Sequence, residues 1–409
     1  MTSPPMIPEI DIRPLLTEES SLEDRVVVGG RICTALSSVG LFFATGHGIT
    51  KMRREKAFND ASEFFSLKLE DKDSIPARAG GFTRGYIGFG GESGSHRLEC
   101  KEAFSYGYPW PEGKPPENSL QGANIWPGEN LVCKGWRQGM LELFRLMVGV
   151  SEAISKGVSV GLGLGEARLP ELCREGETIS LMRLFHYFPY DNEDWGGADN
   201  NDEAGSDLGA TAASAPAAHA CQGGGADAEA PLKPLKQEKI SSSPHTDWGY
   251  LTCILQDGTG GLQYMHGGIE RWLDVPCVEG ALVVNCGDYL SLLSGGRLRS
   301  PVHQVVTKGV ERTSFVFFYY PSFNTTLLAP GHGKGKKGDD TVAALADLPN
   351  GAQGGVEGHT PWVKQNNCNS AGDSGHSYNT LLDLQDTVDL SKTSFGEYLN
   401  LKWGGVFRR

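Results

Sequence analysis

Ser243-Pro-His245-Thr-Asp247-Trp-Gly-Tyr250 sets a histidine two positions before an aspartate. Read as the start of a β-strand, the stretch points both side chains to one face, because successive strand residues alternate sides. A neutral imidazole and a carboxylate placed that way can share a metal ion. Ser300-Pro-Val-His303-Gln-Val305 supplies a third donor 56 positions beyond Asp247, far enough for several strands to run out and return. Two histidines and one carboxylate on one face of an octahedral ion leave three positions open, which suits iron(II) that must take a chelating cosubstrate and then dioxygen. An isolated His-x-Asp is an ordinary strand-end pair, but here Arg312-Thr-Ser314 follows on the next strand, with the arginine and the hydroxyl again on a common face. A guanidinium fork grips a carboxylate with two hydrogen bonds, and a serine hydroxyl can add a third.

Outward from these motifs the sequence is a series of short β-rich runs broken by turns: 250–255, 261–265, 281–285, 304–307 and 314–320. Such spacing predicts a sandwich or barrel. The first half reads differently. Ile7-Pro-Glu-Ile-Asp-Ile12 predicts a strand, 22–39 an amphipathic helix, and Gly40-Leu-Phe-Phe-Ala-Thr-Gly-His-Gly48 a strand ending in a glycine turn. Helices are expected over about 51–67 and 135–161, followed by an apolar run over 179–188. The fold class expected is therefore α+β, mainly β. Two stretches fit neither pattern: 193–243, rich in Gly, Ala, Asp and Ser, and 331–378, rich in Gly, Lys and Asn. Neither can bury enough apolar area to offset its ordering entropy, so both are expected to be disordered surface insertions.

A hydrophobic share of 39% over 409 residues is that of a globular chain, not a disordered one. The net charge of −13, with no basic stripe to offset it, argues against a nucleic-acid partner. Much of this acidity is local, since 191–230 holds nine Asp or Glu and no Lys or Arg. No apolar run reaches the roughly 18 residues that suggest a membrane span, and the start lacks a basic region followed by an apolar one. A soluble, cytoplasmic protein without a membrane partner is the expectation. The nine cysteines are odd in number and never in a Cys-x-x-Cys pair, so neither a disulfide framework nor a zinc ribbon is expected.

Taken together, the motifs resemble the iron(II)/2-oxoglutarate-dependent oxygenases of the isopenicillin N synthase-like family. The resemblance rests on His245-Thr-Asp247-Trp-Gly-Tyr-Leu-Thr252, Gly261-Leu-Gln263, Trp272-Leu-Asp-Val-Pro276, Gly280-Ala-Leu-Val-Val-Asn-Cys-Gly-Asp288, Ser300-Pro-Val-His303 and Arg312-Thr-Ser314-Phe315. The first half adds Arg84-Gly-Tyr86 and Lys101-Glu-Ala-Phe104 to the two stretches already quoted, and Phe395-Gly-Glu-Tyr-Leu399 with Lys402-Trp403 resembles the family's last helix. This implies a double-stranded β-helix, or jelly-roll, core with an N-terminal helical and strand domain. The division expected is an N-terminal dioxygenase domain over 1–130, a helical connection with the first core strands over 131–190, an insertion over 191–243, the core over 244–330, a second insertion over 331–378 and a C-terminal helix over 379–409.

The resemblance further implies that His245, Asp247 and His303 bind iron(II), and that Arg312 and Ser314 hold the distal carboxylate of 2-oxoglutarate. Tyr187 matches the tyrosine of the family's Asn-x-Tyr strand, whereas the asparagine is Phe185 here, which removes one expected cosubstrate contact. Dioxygen is the other cosubstrate and ascorbate an optional reductant. The implied reaction oxidises a small organic molecule, by hydroxylation, desaturation or ring closure, and releases succinate and carbon dioxide. Two alternatives stand beside it: an oxidase of the same fold in which Arg312 and Ser314 grip a substrate carboxylate, and a non-catalytic metal-binding jelly roll. Gln304, where the family more often has arginine, is expected to point away from the metal. His47 is read as a satisfied turn histidine, Asp288 as a turn or cap residue, and Gly161-Leu-Gly-Leu-Gly165 as a helix end.

Overall fold

The computed structural model describes residues 6–77, 84–92, 95, 97–191, 238–266, 271–326 and 392–406. From the amino end, β1 (Glu9–Asp11), α1 (Arg13–Leu16), α2 (Leu22–Ser38), β2 (Leu41–Thr45), α3 (Lys51–Phe65) and α4 (Leu69–Asp73) lead to β3 (Gly85–Ile87), β4 (Leu98–Glu99) and β5 (Lys101–Gly107). The long helix α5 (Trp136–Gly161), the short α6 (Arg168–Leu172) and β6 (Leu181–Tyr187) follow. Then come β7 (Lys239–Ile240), β8 (Ser242–His245), β9 (Leu251–Gln256), β10 (Leu262–His266), β11 (Arg271–Asp274) and β12 (Leu282–Cys286). Helix α7 (Asp288–Leu293), β13 (His303–Val305), β14 (Arg312–Tyr319) and α8 (Phe395–Val406) complete the described chain. None of the described helices is long and apolar enough to cross a membrane.

Eight strands form one sheet in the order β1-β2-β12-β9-β14-β6-β5-β3, four form a second in the order β11-β10-β13-β8, and β4 pairs with β7. The strands of the first half thus enter the same large sheet as the strands of the second. The two main sheets face each other: Tyr187, Ile254, Val283 and Val316 of the large sheet pack in one cluster with Leu262, Tyr264 and Val305 of the small one. This is the jelly-roll core. Alternation decides which side chains enter it. Along β14, Arg312, Ser314 and Val316 face the small sheet, while Phe315, Phe317 and Tyr319 join the core on the other side, against the helices. Phe317 meets Phe144 of α5 edge to face at 5.3 Å, and Phe315 meets Phe58 of α3 at 5.5 Å.

Helix α2 begins where Ser21 accepts a hydrogen bond from the Asp24 amide and Asp24 answers the Ser21 amide, a reciprocal cap that satisfies two otherwise orphaned donors. It packs on α5 through glycines. A Cβ at Gly29 would lie 2.3 Å from the Gly157 carbonyl oxygen, and one at Gly161 2.3 Å from the Gly29 carbonyl, so the two backbones all but touch.

The elements named from the sequence occur in the expected order, beside others it did not name, among them β3, β5, β11, α4 and α7, and two expectations differ locally. His245 stands at the end of β8 and not at a strand start, so Asp247 lies in the connection to β9 and reaches the common face through that turn. Strands β7 and β8 also begin inside the segment that composition sets aside as an insertion. They need little apolar content, because their backbones pair with β4 and β13 and their serines find polar partners: the Ser243 amide donates to Glu99 at 3.0 Å and Lys101 donates to the Ser242 hydroxyl at 3.3 Å. The rest of that segment, 192–237, and all of 331–378 lie outside the described residues.

The glycine contact yields a stability test. Gly29→Ala should gain about 1 kcal/mol in helix propensity yet lose more through the clash, for a net destabilisation of about 1–3 kcal/mol. Thermal and urea melts check this, and a variant that melts at or above the wild type would show that the two helices have room to separate.

Candidate active site

Antiparallel pairing of β13 with β8 sets His303 opposite His245. Their rings lie 4.3 Å apart between centroids. Each ring is fixed through its inner nitrogen: His245 Nδ1 donates to the Ser243 carbonyl at 2.7 Å and His303 Nδ1 to the Pro301 carbonyl at 3.1 Å. A proton held on Nδ1 leaves the Nε2 lone pair free on both rings. Both Nε2 atoms point at Asp247 Oδ1, at 4.0 Å for His245 and 3.7 Å for His303. These are too long for hydrogen bonds. The three donor atoms, all within 4.8 Å of one another, instead surround a point that one cation can occupy, and two imidazole nitrogens with one carboxylate oxygen suit iron(II).

Asp247 is buried and held from behind. Asn285 Nδ2 donates to its Oδ2 at 3.4 Å, and its backbone carbonyl accepts from the Asp288 amide at 2.8 Å. Although about a third of the His245 side chain, 35%, is open to the cavity, burial and then the neighbouring His303 push its pKa down to about 4. The ring is therefore neutral at pH 7 and ready to ligate. Asp288 opens α7 and accepts a hydrogen bond from the Thr246 hydroxyl, and burial pushes its carboxyl up to about 6. Gln304 turns away, donating to Gln263 at 2.9 Å. His47 is satisfied in its turn by the Gly280 carbonyl at 2.7 Å and the Ile49 amide at 3.1 Å.

The same cavity is also lined by Arg312, Ser314 and Tyr187. Strand pairing places them: Arg312 lies across from Tyr187, which lies across from Lys101 on β5. Arg312 is buried, donates to Ser314 Oγ and Gln256 Oε1 at 3.2 Å each, and lies over the Tyr187 ring at 4.8 Å. No carboxylate among the described residues meets this guanidinium, and its Nε has no hydrogen-bond partner among them. A buried cation left so is costly unless an anion joins it. Phe185, in place of the family's asparagine, lines the wall, with Lys101 Nζ 5.1 Å from its ring centre.

Residues that sequence reading did not assign to the site complete the lining: Lys101 with Glu99, Arg183 with Glu92, and the aromatics Trp248, Phe318, Tyr320 and Trp403. Residue 183 was accessible to period-two reasoning from Tyr187. Trp403 was not, since only the folded chain brings α8 to the cavity.

Comparison with known proteins agrees with this geometry. The family model for the N-terminal region of non-haem dioxygenases in morphine synthesis matches residues 7–129, and that for the 2OG-Fe(II) oxygenase superfamily matches 227–321. The chain is 28% identical over 352 residues to the 2-oxoglutarate-dependent dioxygenase tropC of Talaromyces stipitatus, covering 83% of this chain and 95% of that one. It is 28% identical over 320 residues to the 2-oxoglutarate-dependent dioxygenase citB of Monascus ruber, covering 76% and 84%. In fold it is similar to a Neurospora crassa protein crystallised with α-ketoglutarate and thymine, with a TM-score of 0.61, 21% identity and coverage of 83% and 95%. The chain belongs to the iron(II)/2-oxoglutarate-dependent dioxygenases of the isopenicillin N synthase-like family, which use iron(II), 2-oxoglutarate and dioxygen. It is an oxidoreductase acting on a small molecule.

Behind the cavity wall, on the outer face of β5, Glu102 accepts from Tyr86 at 2.5 Å, Lys72 at 2.8 Å and His186 at 2.9 Å. Burial pushes its carboxyl up, but these hydrogen bonds together pull it below its ordinary value of 4.5. A carboxyl depressed on folding adds stability that is present above its unfolded pKa and lost as pH falls through the folded one. Glu102→Gln should therefore destabilise the chain at pH 7 by about 3 kcal/mol, because Lys72 stays buried without its anion. The gap to wild type should close in melts below about pH 4. An equal gap at every pH would mean that packing and not charge accounts for it.

Proposed function

We propose that His245, Asp247 and His303 hold one iron(II) ion and that Arg312 and Ser314, with Tyr187 and Gln256 beside them, hold the distal carboxylate of 2-oxoglutarate. In this reading the chain hydroxylates or desaturates a small organic molecule and releases succinate and carbon dioxide. The observation that carries it is the buried Arg312 with no carboxylate among the described residues, in the same cavity as the three metal donors. When bound, iron(II) supplies the redox chemistry that couples decarboxylation of the 2-oxo acid to oxidation of a C–H bond. The side chains do the positioning. The carbonyls of Ser243 and Pro301 keep both imidazoles in the ligating tautomer, Asn285 orients Asp247, and Arg312 fixes the cosubstrate by its far end. Ile254, Leu262, Val305 and Val316 keep water from the space between. A cytoplasmic setting belongs to this reading, supported by the seven described cysteines, all free thiols.

The rival reading, an oxidase in which Arg312 grips a substrate carboxylate, is separated by one titration. Anaerobic addition of 2-oxoglutarate to the iron(II) protein should raise the visible charge-transfer band of a chelated 2-oxo acid, and admitted oxygen should then yield succinate. Arg312→Ala should weaken cosubstrate binding by roughly 30-fold to several thousand-fold, the equivalent of about 2–5 kcal/mol. Its iron content should hardly change. A wild type with neither band nor succinate would favour the oxidase, and a band of equal strength in both proteins would remove Arg312 from the site.

His303→Ala should lose iron, measured as metal content after gel filtration, while its circular dichroism stays that of the wild type. Retained iron and full turnover would sink the ligand assignment.

A further inference from the structure

The cavity contains charged groups that neither the metal nor the cosubstrate needs. Arg183 Nη1 donates to both oxygens of Glu92, at 2.7 and 2.9 Å, and both side chains are at most 10% exposed. The guanidinium carbon sits 5.0 Å from the ring centre of Trp403 on α8. Trp403 in turn meets Trp248, the residue after Asp247, edge to face at 5.2 Å. Phe318 and Tyr320 lie stacked at 19° in the same lining. A second buried pair joins Lys101 to Glu99 at 2.5 Å.

We propose that the substrate is an uncharged, flat ring compound whose adjacent hydrogen-bond donor and acceptor meet the Arg183–Glu92 pair, with Trp248 and Trp403 as its aromatic wall. The assignment names the substrate class for the function proposed above and rests on that reading.

Charge balance carries it. Among the described residues, the acids lining the cavity are Glu92, Glu99 and Asp247, the bases Lys101, Arg183 and Arg312, and the two metal-site histidines face them. The formal charges of the acids and bases cancel. Iron(II) and dianionic 2-oxoglutarate would add equal and opposite charge, so the loaded cavity stays balanced. A charged substrate would meet no spare counter-charge among the described residues, and burying an unpaired ion is far more costly than burying a hydrogen-bonded neutral group. The Arg183–Glu92 pair nevertheless presents a donor and an acceptor side by side, a pattern that an amide, lactam or hydroxy-ketone edge complements. Four aromatic side chains beside it favour a ring over an aliphatic chain, through offset and edge contacts.

Two isosteric probes that differ in charge and in the presence of an N–H donor test this: 2-naphthamide and 2-naphthoate, titrated calorimetrically and anaerobically into the full chain loaded with iron(II) and 2-oxoglutarate. The amide should bind at least roughly tenfold tighter than the carboxylate. Glu92→Gln leaves Arg183 without its anion, so the ratio should shift by roughly tenfold or more toward naphthoate. Trp403→Ala should weaken naphthamide binding without changing the 2-oxoglutarate band, and it serves if Glu92→Gln does not fold. A wild type that takes naphthoate as well as naphthamide would overturn the proposal. So would a Glu92→Gln protein with an unchanged ratio, or a Trp403→Ala protein with unchanged naphthamide affinity. If the charge-transfer band never forms, the cosubstrate reading falls, yet the change in ratio between wild type and Glu92→Gln still decides the subsite.

Discussion

The short antiparallel pairing of β8 with β13 brings residues 58 positions apart in sequence to adjacent places, His245 beside His303, with Asp247 turned in from the connection that follows. Backbone hydrogen bonding does this, so the juxtaposition of the candidate ligands does not rely on side-chain packing. The carbonyls of Ser243 and Pro301, each two residues before its histidine, then orient the rings. A one-residue slip of either strand would turn one histidine to the opposite face and abolish the site. The small sheet is therefore held in register by β10, which pairs with β13 and β11.

The large sheet solves a different problem, that of keeping ions inside a protein. Its inner face carries Lys101, Arg183, Tyr187, Arg312 and Ser314, while its outer face is the apolar seat of α3 and α5. The same strands thus serve core and site by alternation alone. Each inward ion except Arg312 has an opposite charge at hydrogen-bond distance: Lys101 has Glu99 and Arg183 has Glu92. Buried pairs of this kind contribute little net stability, but removing one partner is costly, so they keep the cavity polar without leaving it charged. Among the described residues Arg312 is the exception, and the proposed cosubstrate carboxylate would supply the missing anion.

The outer layer shows how closely the helices are drawn in. Gly29, Gly157 and Gly161 let α2 and α5 cross nearly backbone to backbone, and α5 in turn presses Phe144 on Phe317 of β14, the strand that carries Arg312 on its opposite face. Beneath β5, the Glu102 cluster ties β3, β5, β6 and α4 together through Tyr86, His186 and Lys72. The wall that presents Lys101 and Tyr187 to the cavity is therefore braced from behind.

By itself the sequence brought forward the candidate donors, because His245, Asp247, His303, Arg312 and Ser314 lie in short local motifs of readable chemistry, although Asp247 reaches the common face through a turn and not by strand alternation. It also placed the longer helices and several of the strands in order, since apolar periodicity and the glycine turn after β2 are local signals. It misjudged β7 and the start of β8, whose serines carry no apolar signal because their stability comes from backbone pairing with distant strands. The tertiary structure alone decided which residues from elsewhere enter the cavity. Glu92, Glu99, Arg183 and Trp403 come from four separate segments, and their partners are set by strand register and by the docking of α8, which no window of sequence contains. Local periodicity states which face a side chain occupies, whereas long-range pairing determines what stands opposite it.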